Sequence, residues 1–232
     1  MATPQAIHHE LRTAQNSASY LLPMLRSMRD KNADLRLLDV GAGSGTISVT
    51  LAKEMPQGHV TATDLNKNIL ERAQTIATAH GVTNISFQQA DAYQLPFPDA
   101  SFDVTHCHQV LAHLQQPWNV LREMMRVTKP GGVVAVREGD LTSECVWPEL
   151  AGMAKFHKLA GDLIQLRGGC ITAGRQLLSW ALKAGALRSQ VDASLGTWHY
   201  TTADEKGVWG MSDVNSKVPS FVLVYCDMRN CC

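Results

Sequence analysis

The chain has 232 residues, and 21 lysines and arginines balance 21 aspartates and glutamates, so it carries no net charge at pH 7. That balance supplies no global field for nucleic acid or an anionic membrane, and the length suits one domain of ordinary core size rather than two. Six cysteines, at 107, 145, 170, 226, 231 and 232, form no C-x-x-C pair, and residues 1–15 lack the basic-then-apolar order of a signal peptide. These features predict a reduced, cytoplasmic protein, and no apolar run approaches the roughly 18 residues of a membrane helix.

In chain order, "IHHELRTAQNSASYLLPML" predicts an N-terminal helix from Ile7 to Met28 that breaks near Pro23. His8, His9, Arg12, Asn16 and Ser19 lie on its polar face. "LRLLDV" is a buried strand, Thr46 to about Met55 a helix, and "HVTATDL" a second strand. Asn66 is placed to cap a helix whose Ile69, Ala73, Ile76 and Ala77 recur at helical spacing until Gly81. "NISFQQAD" and "FDVTHCH" are the next strands, on either side of the turn-rich "LPFPDAS". Pro117 opens a helix bearing Val120, Leu121, Met124 and Met125, "KPGG" ends it, and "VVAVREG" is the fifth strand. Residues 149–166 and "GRQLLSWALKAGAL" read as helices, and "QVDASLGTWHY" and "SFVLVYC" as strands. Thr201–Val218 has no clear periodicity. Repeated strand–helix units with nearly continuous apolar strands predict a doubly wound α/β fold on a mainly parallel sheet.

Ligands of such sheets bind beyond the carboxyl ends of the strands. Gly41, Gly43 and Gly45 occupy the first of these turns, where missing side chains let a ligand reach the backbone and the N–H groups of the following helix. A tight turn is the plain alternative. The spacing is G-x-G-x-G after Asp39, unlike the G-x-G-x-x-G of dinucleotide sites or the G-K-[ST] ending of a phosphate loop. An acid at the loop mouth is a poor neighbour for pyrophosphate and suits an ammonium or sulfonium. Asp64, ending the second strand, is placed for the two hydroxyls of a ribose, and Asp91, after the third, for an adenine amino group. Helix capping is the alternative for both.

"LLDVGAGSG", "TATDLN", "QADAYQLPFPDASFDV" and "LREMMRVTKPGG", in that order, resemble class I S-adenosylmethionine-dependent methyltransferases. The nearest type is the ubiquinone/menaquinone-biosynthesis methyltransferase and its small-molecule relatives, over about residues 7–200. The resemblance implies a Rossmann-like, seven-stranded-type sheet in a single domain. Residues 1–30 would be an N-terminal helical lid, 31–140 the cofactor core, and 141–232 the acceptor-side helices and last strands. It implies that Asp39, Gly41, Ala42, Gly43 and Gly45 border the methionine part of S-adenosyl-L-methionine, with Asp39 by its amino group. Asp64, with Leu65 beside it, would hold the ribose, and Asp91 and Ala92 would flank the adenine. His108 and Gln109 would approach the sulfonium and the acceptor as the catalytic pair. His9, Arg12, Tyr20 and His113 would be lid or acceptor contacts, with core packing the alternative for Tyr20 and His113.

Methyl transfer from a sulfonium is an in-line displacement of an already activated group, so alignment supplies much of the rate and no catalytic triad is needed. A neutral imidazole helps where the acceptor is a hydroxyl or an acidic carbon. His106 and His108 share a strand face, which raises a metal site, but no further ligands accompany them and the family type needs no metal. The expected partner is a small-molecule acceptor rather than nucleic acid, since no basic patch interleaved with aromatics occurs; a dimer is left open. Past "SLGTWHYTTADE" the chain departs from the family pattern, running "KGVWGMSDVNSKVPSFVLVYCDMRNCC" where relatives carry more helices around the acceptor pocket. This shortened C-terminus motivates an alternative, a cofactor-binding but non-methylating interaction or regulatory protein on the same scaffold. A nicotinamide-dependent oxidoreductase is a third reading, opposed by the glycine spacing.

Overall fold

The computed structural model describes residues 10–147, 151–200 and 215–226. Five parallel strands form the body of one sheet: β1 (Arg36–Val40), β2 (His59–Asp64), β3 (Ile85–Gln89), β4 (Phe102–His108) and β5 (Thr128–Gly139), in the order β3-β2-β1-β4-β5. Beyond β5 the sheet turns antiparallel. The short β6 (Cys145–Trp147), β7 (Val191–Tyr200) and β5 all pair with β8 (Asn215–Cys226). "SFVLVYC" is thus part of the strand that closes the parallel body, and the three-residue β6 is an addition to the expected seven strands. Residues 201–214, within the stretch without periodicity, lie outside the described residues, as do His8, His9 and the terminal cysteines.

Burial on both faces follows from strand geometry, in which successive side chains point to opposite sides. On β1, Leu37 joins Val60, Val104 and Ala135 in one core, and Leu38 joins Val134 and Val136 in the other. The first core is covered by α1 (Ala14–Ser17), α2 (Leu22–Lys31), α3 (Thr46–Glu54) and α4 (Lys67–Ala79), through residues such as Leu25, Leu51 and Ile76. The second is covered by α5 (Pro117–Val127) and α7 (Ala173–Ala184), through Leu121, Met124, Leu177 and Trp180. The remaining helix, α6 (Ala151–Leu166), exposes Phe156, Leu159 and Leu166.

Local signals set several of these ends. The Asn66 side chain accepts the N–H of Asn68 at 3.0 Å and so starts α4. Gly185, at φ 114°, ends α7 in the left-handed conformation. The helix expected from Ile7 to Met28 with a break near Pro23 is, among the described residues, the two pieces α1 and α2, interrupted just before Pro23, which sits inside the first turn of α2. Proline lacks the N–H that a helix interior needs but is at home where that N–H has no partner, so it opens a helix here rather than breaking one. The expected strand "VVAVREG" begins earlier as well: β5 starts at Thr128, and Lys129–Gly132 bulge outward between the Phe102–Thr128 and Val104–Val133 pairs.

β1 lies where the strand order reverses, with β2 on one side and β4 on the other. A crevice opens at that point beyond the carboxyl ends of the strands. The two-core arrangement gives a stability test. Leu177→Ala, at a buried position, should cost about 2–5 kcal/mol, whereas Leu182→Ala, on the exposed side of the same helix, should stay within about 0.5 kcal/mol. Urea midpoints compare the two.

Candidate active site

After β1 the chain turns through Gly41, Gly43 and Gly45, each at positive φ. The three serve different ends. A Cβ on Gly41 would collide with the side chain of Val110, and one on Gly45 would sit 2.7 Å from the Ala73 Cβ, so these two let the loop pack against the post-β4 turn and α4. A Cβ on Gly43 would meet nothing within 4 Å. Its φ of 56° reaches the left-handed region at no steric cost, and its bare surface faces open space.

That space is a cavity of about 490 Å³, within the usual size of small-molecule and cofactor sites of about 300–1,000 Å³. It brings together nearly all the residues expected at the site: Asp39, Gly41, Ala42, Gly43, Asp64, Leu65, Asp91, Ala92, His108 and Gln109. Arg12 and His113 line it too. Gly45 does not; it starts α3 and packs on α4. Tyr20 lies elsewhere, against the first core, with its hydroxyl buried and without a hydrogen-bond partner among the described residues; burial pushes its pKa up. His9 is outside the described residues.

The acids at the strand ends hold the loops. Asp64 accepts the Gly43 N–H at 3.0 Å on one oxygen and the Asn66 N–H at 2.9 Å on the other. A carboxylate offers about four acceptor positions, so two remain for the hydroxyls of a ligand. Asp91 accepts the Tyr93 N–H at 2.9 Å, and the half of Leu65 that faces out gives the cavity mouth an apolar surface. Asp39 is different: it is buried, with the Ser48 hydroxyl donating to one oxygen at 2.5 Å and His106 Nδ1 donating to the other at 2.8 Å. The ring of His106 is stacked 6.4 Å from that of His108, so the two share a face as the strand period predicts. Among the described residues no three His, Cys, Asp or Glu side chains converge in a way that could hold a metal.

β4 ends in a strained residue. Gln109 has φ 53°, a conformation that costs a non-glycine residue about 1–3 kcal/mol, and donates its N–H to the Arg137 carbonyl at 2.8 Å. The turn it makes presents His108, Gln109 and Val110 to the cavity. His113, in the 3₁₀ turn Leu111–His113, is held below the usual histidine range by burial and then by the positive charges of Arg167 and Arg12.

Two residues of β5 support this turn and were not singled out from the sequence. Glu138 is fully buried, and its Oε1 accepts the N–H groups of Val110 at 2.8 Å and Leu111 at 2.6 Å. Burial pushes its pKa up to about 7, against the lowering effect of those bonds. Arg137 donates to the Asn16 and Ser17 carbonyls at 3.2 and 3.0 Å, which fixes α1 over the sheet. The available signal was the Arg-Glu pair at the carboxyl end of an otherwise apolar strand.

A doubly wound sheet with a cavity at its switch point, bordered by a glycine loop and by acids at two successive strand ends, defines a nucleoside-binding α/β protein. Residues 31–177 match the family model described as a methyltransferase domain, and the chain belongs to that family. It is 38% identical over 207 residues to an uncharacterised methyltransferase of Schizosaccharomyces pombe, covering 85% of this chain and 70% of that protein. It is 35% identical over 136 residues to the 27-O-demethylrifamycin SV methyltransferase of Amycolatopsis mediterranei, covering 56% of this chain and 50% of that one. The fold is similar to that of a SAM-dependent methyltransferase from Aquifex aeolicus, with a TM-score of 0.54 at 16% identity, over 97% of this chain and 100% of the other.

The raised pKa of Glu138 has a sign that can be tested. The native state holds this proton at pH values where the unfolded chain has lost it, so the group's contribution is fully present below about pH 4.5 and declines as pH rises toward 7. The limiting slope is about 1.4 kcal/mol per pH unit. In Glu138→Gln the amide oxygen still accepts both N–H groups and nothing ionises. Stability of that variant relative to the parent should therefore rise between pH 5 and 8 in chemical denaturation, and a constant difference would contradict the shift.

Proposed function

We propose that the chain transfers a methyl group from S-adenosylmethionine to a small-molecule acceptor. The observation that carries this reading is the single cavity joining Gly43, Asp64 and Asp91 to His108 and Gln109. Asp64 would hold the ribose hydroxyls, Asp91 and Ala92 the adenine, and the bare backbone at Gly41–Gly43 the methionine part. Asp39 borders this end of the cavity, with both oxygens already hydrogen-bonded to Ser48 and His106. Its proximity to an ammonium would act mainly as charge. Residues 31–140 serve as the cofactor core, 1–30 as the lid and 141–232 as the acceptor side.

Bound in this cavity, S-adenosylmethionine supplies a methyl carbon already activated by the positive sulfur. His108 and Gln109 present polar side chains at the end of β4, where they orient the acceptor for in-line attack; alignment of this kind supplies much of the rate. In that attack the acceptor atom would bond to the methyl carbon, and sulfur would keep the electron pair of the bond that breaks. A proton released by the acceptor passes to solvent or to His113, whose pKa burial and the charges of Arg167 and Arg12 hold below the usual histidine range. The small acceptor is favoured over nucleic acid by the neutral chain. The name of the Amycolatopsis relative, which gives a small molecule as its substrate, agrees with this. A cytoplasmic setting is supported by the free, exposed thiol of Cys145.

Calorimetric titration with S-adenosylmethionine tests the cofactor assignment. Asp64→Ala removes two charge-assisted hydrogen bonds and should weaken binding about 100-fold. Gly43→Ala should weaken binding at least tenfold, since its methyl group enters the cavity, whereas Gly45→Ala should act chiefly on stability through its contact with Ala73. Unchanged affinity in Asp64→Ala would remove that residue from the site. Tight cofactor binding with no labelled methyl transfer to a broad panel of small molecules would favour the non-methylating alternative.

A further inference from the structure

The space around the cofactor cavity continues past His113. Two further cavities, of about 400 and 240 Å³, adjoin it, and this imidazole lines all three. The larger is otherwise bordered by neutral side chains, among them Gln115, Gln116 and Asn119, and by Arg167. The smaller is bordered by Leu163, Ile164 and Arg167. Among the described residues neither contains an aspartate or glutamate, in contrast to the three acids around the cofactor cavity.

Close backbone packing brings Arg167 here. It follows the last turn of α6, and the next two residues are glycines that meet the post-β4 turn. A Cβ on Gly168, which has φ 80°, would lie 2.7 Å from the Gln115 side chain, and one on Gly169 would lie 2.5 Å from the Ala112 carbonyl. The Cys170 N–H then donates to that same carbonyl at 2.7 Å. The end of α6 is thereby fixed beside His113. Arg167 is exposed and has no carboxylate partner among the described residues, while Arg12 lines the cofactor cavity, which His113 also borders. The charges of both guanidiniums act on His113.

A guanidinium facing a pocket without acids is suited to a planar oxyanion, which it can bind through two parallel hydrogen bonds. Resting on the methyl-transfer reading, we infer that the acceptor is an organic anion with an apolar body. Its carboxylate or similar oxyanion pairs with Arg167, its apolar part lies along Leu163 and Ile164, and its nucleophilic atom points past His113 toward the cofactor. Arg167 is then a specificity-determining residue that takes no part in holding the cofactor.

Binding to the full chain saturated with S-adenosylhomocysteine tests this, with matched probes: 4-hydroxybenzoate against 4-hydroxybenzamide, and octanoate against octanamide. The acid of at least one pair should bind ten times more tightly than its amide or better. Arg167→Ala should abolish that preference and Arg167→Lys retain part of it, with affinity for S-adenosylmethionine unchanged within twofold in both. Acids that bind no better than their amides, including no binding of either, overturn the inference while leaving the cofactor reading intact; so does a preference that survives Arg167→Ala. A parent protein that fails to bind S-adenosylmethionine overturns the methyl-transfer reading and this inference together.

Discussion

The Gly43, Val110 and Leu111 N–H groups, in the turns beyond β1 and β4, are taken by side-chain carboxyl groups rather than by strand or helix carbonyls. Asp64 takes the Gly43 N–H, and Glu138 takes those of Val110 and Leu111. A hydrogen bond to a charged acceptor, as at Asp64, contributes about 1.5–3 kcal/mol net, enough to hold a short loop whose glycines would otherwise leave it free. The loops must be held in this way because the alternative, filling the crevice with apolar side chains, would remove the cavity. Carboxyl acceptors brace the turns, and the cavity they border stays open.

Burial makes that bracing costly in different degrees. Asp64 is partly exposed and retains solvent around its carboxylate, so it can serve the loop and still meet a ligand. Glu138 is fully enclosed, and its pKa of about 7 records how far desolvation outweighs the two N–H groups it accepts. Asp39 is equally enclosed but has partners on both oxygens, Ser48 and His106, which in turn sets the ring that stacks on His108. The three acids therefore form a gradient, from a partly exposed, cavity-facing carboxylate at the end of β2 to enclosed ones inside β1 and β5.

The sheet was legible in the sequence because its signals are local. Apolar runs of strand length, the Asn66 cap and the glycine–acid spacing each depend on a few neighbouring residues, and the cavity collects Asp39, Gly43, Asp64 and Asp91 at successive strand ends, as their positions implied. Gly45 shares its spacing with the other two glycines, yet what distinguishes it is the approach of Ala73, 28 positions along the chain. Glu138 could not be ranked above any other acid near a strand end, since its role depends on the turn that β4, its neighbour in the sheet, makes 28 residues earlier. The break near Pro23 is legible as well, but not its side: proline marks a helix boundary without saying on which side the helix lies.

The balance of charge is informative in the same limited way. A neutral chain has no long-range field, but a ligand within a pocket responds to charges inside about 8 Å, the screening length at physiological salt. In the described structure Asp39, Asp64 and Asp91 stand at the strand-end side of the cavity, and the charges of Arg12 and Arg167 act on His113. The wall bearing the three acids is assembled from consecutive strand ends, which the sheet topology brings together. The opposite wall draws on residue 12, the turn at 113 and the end of α6 near 167, whose proximity depends on the Gly168–Gly169 contact with Ala112 and Gln115. Substitutions there can alter which molecule fits without disturbing the sheet or its loops, which is how one cofactor scaffold can serve unrelated acceptors.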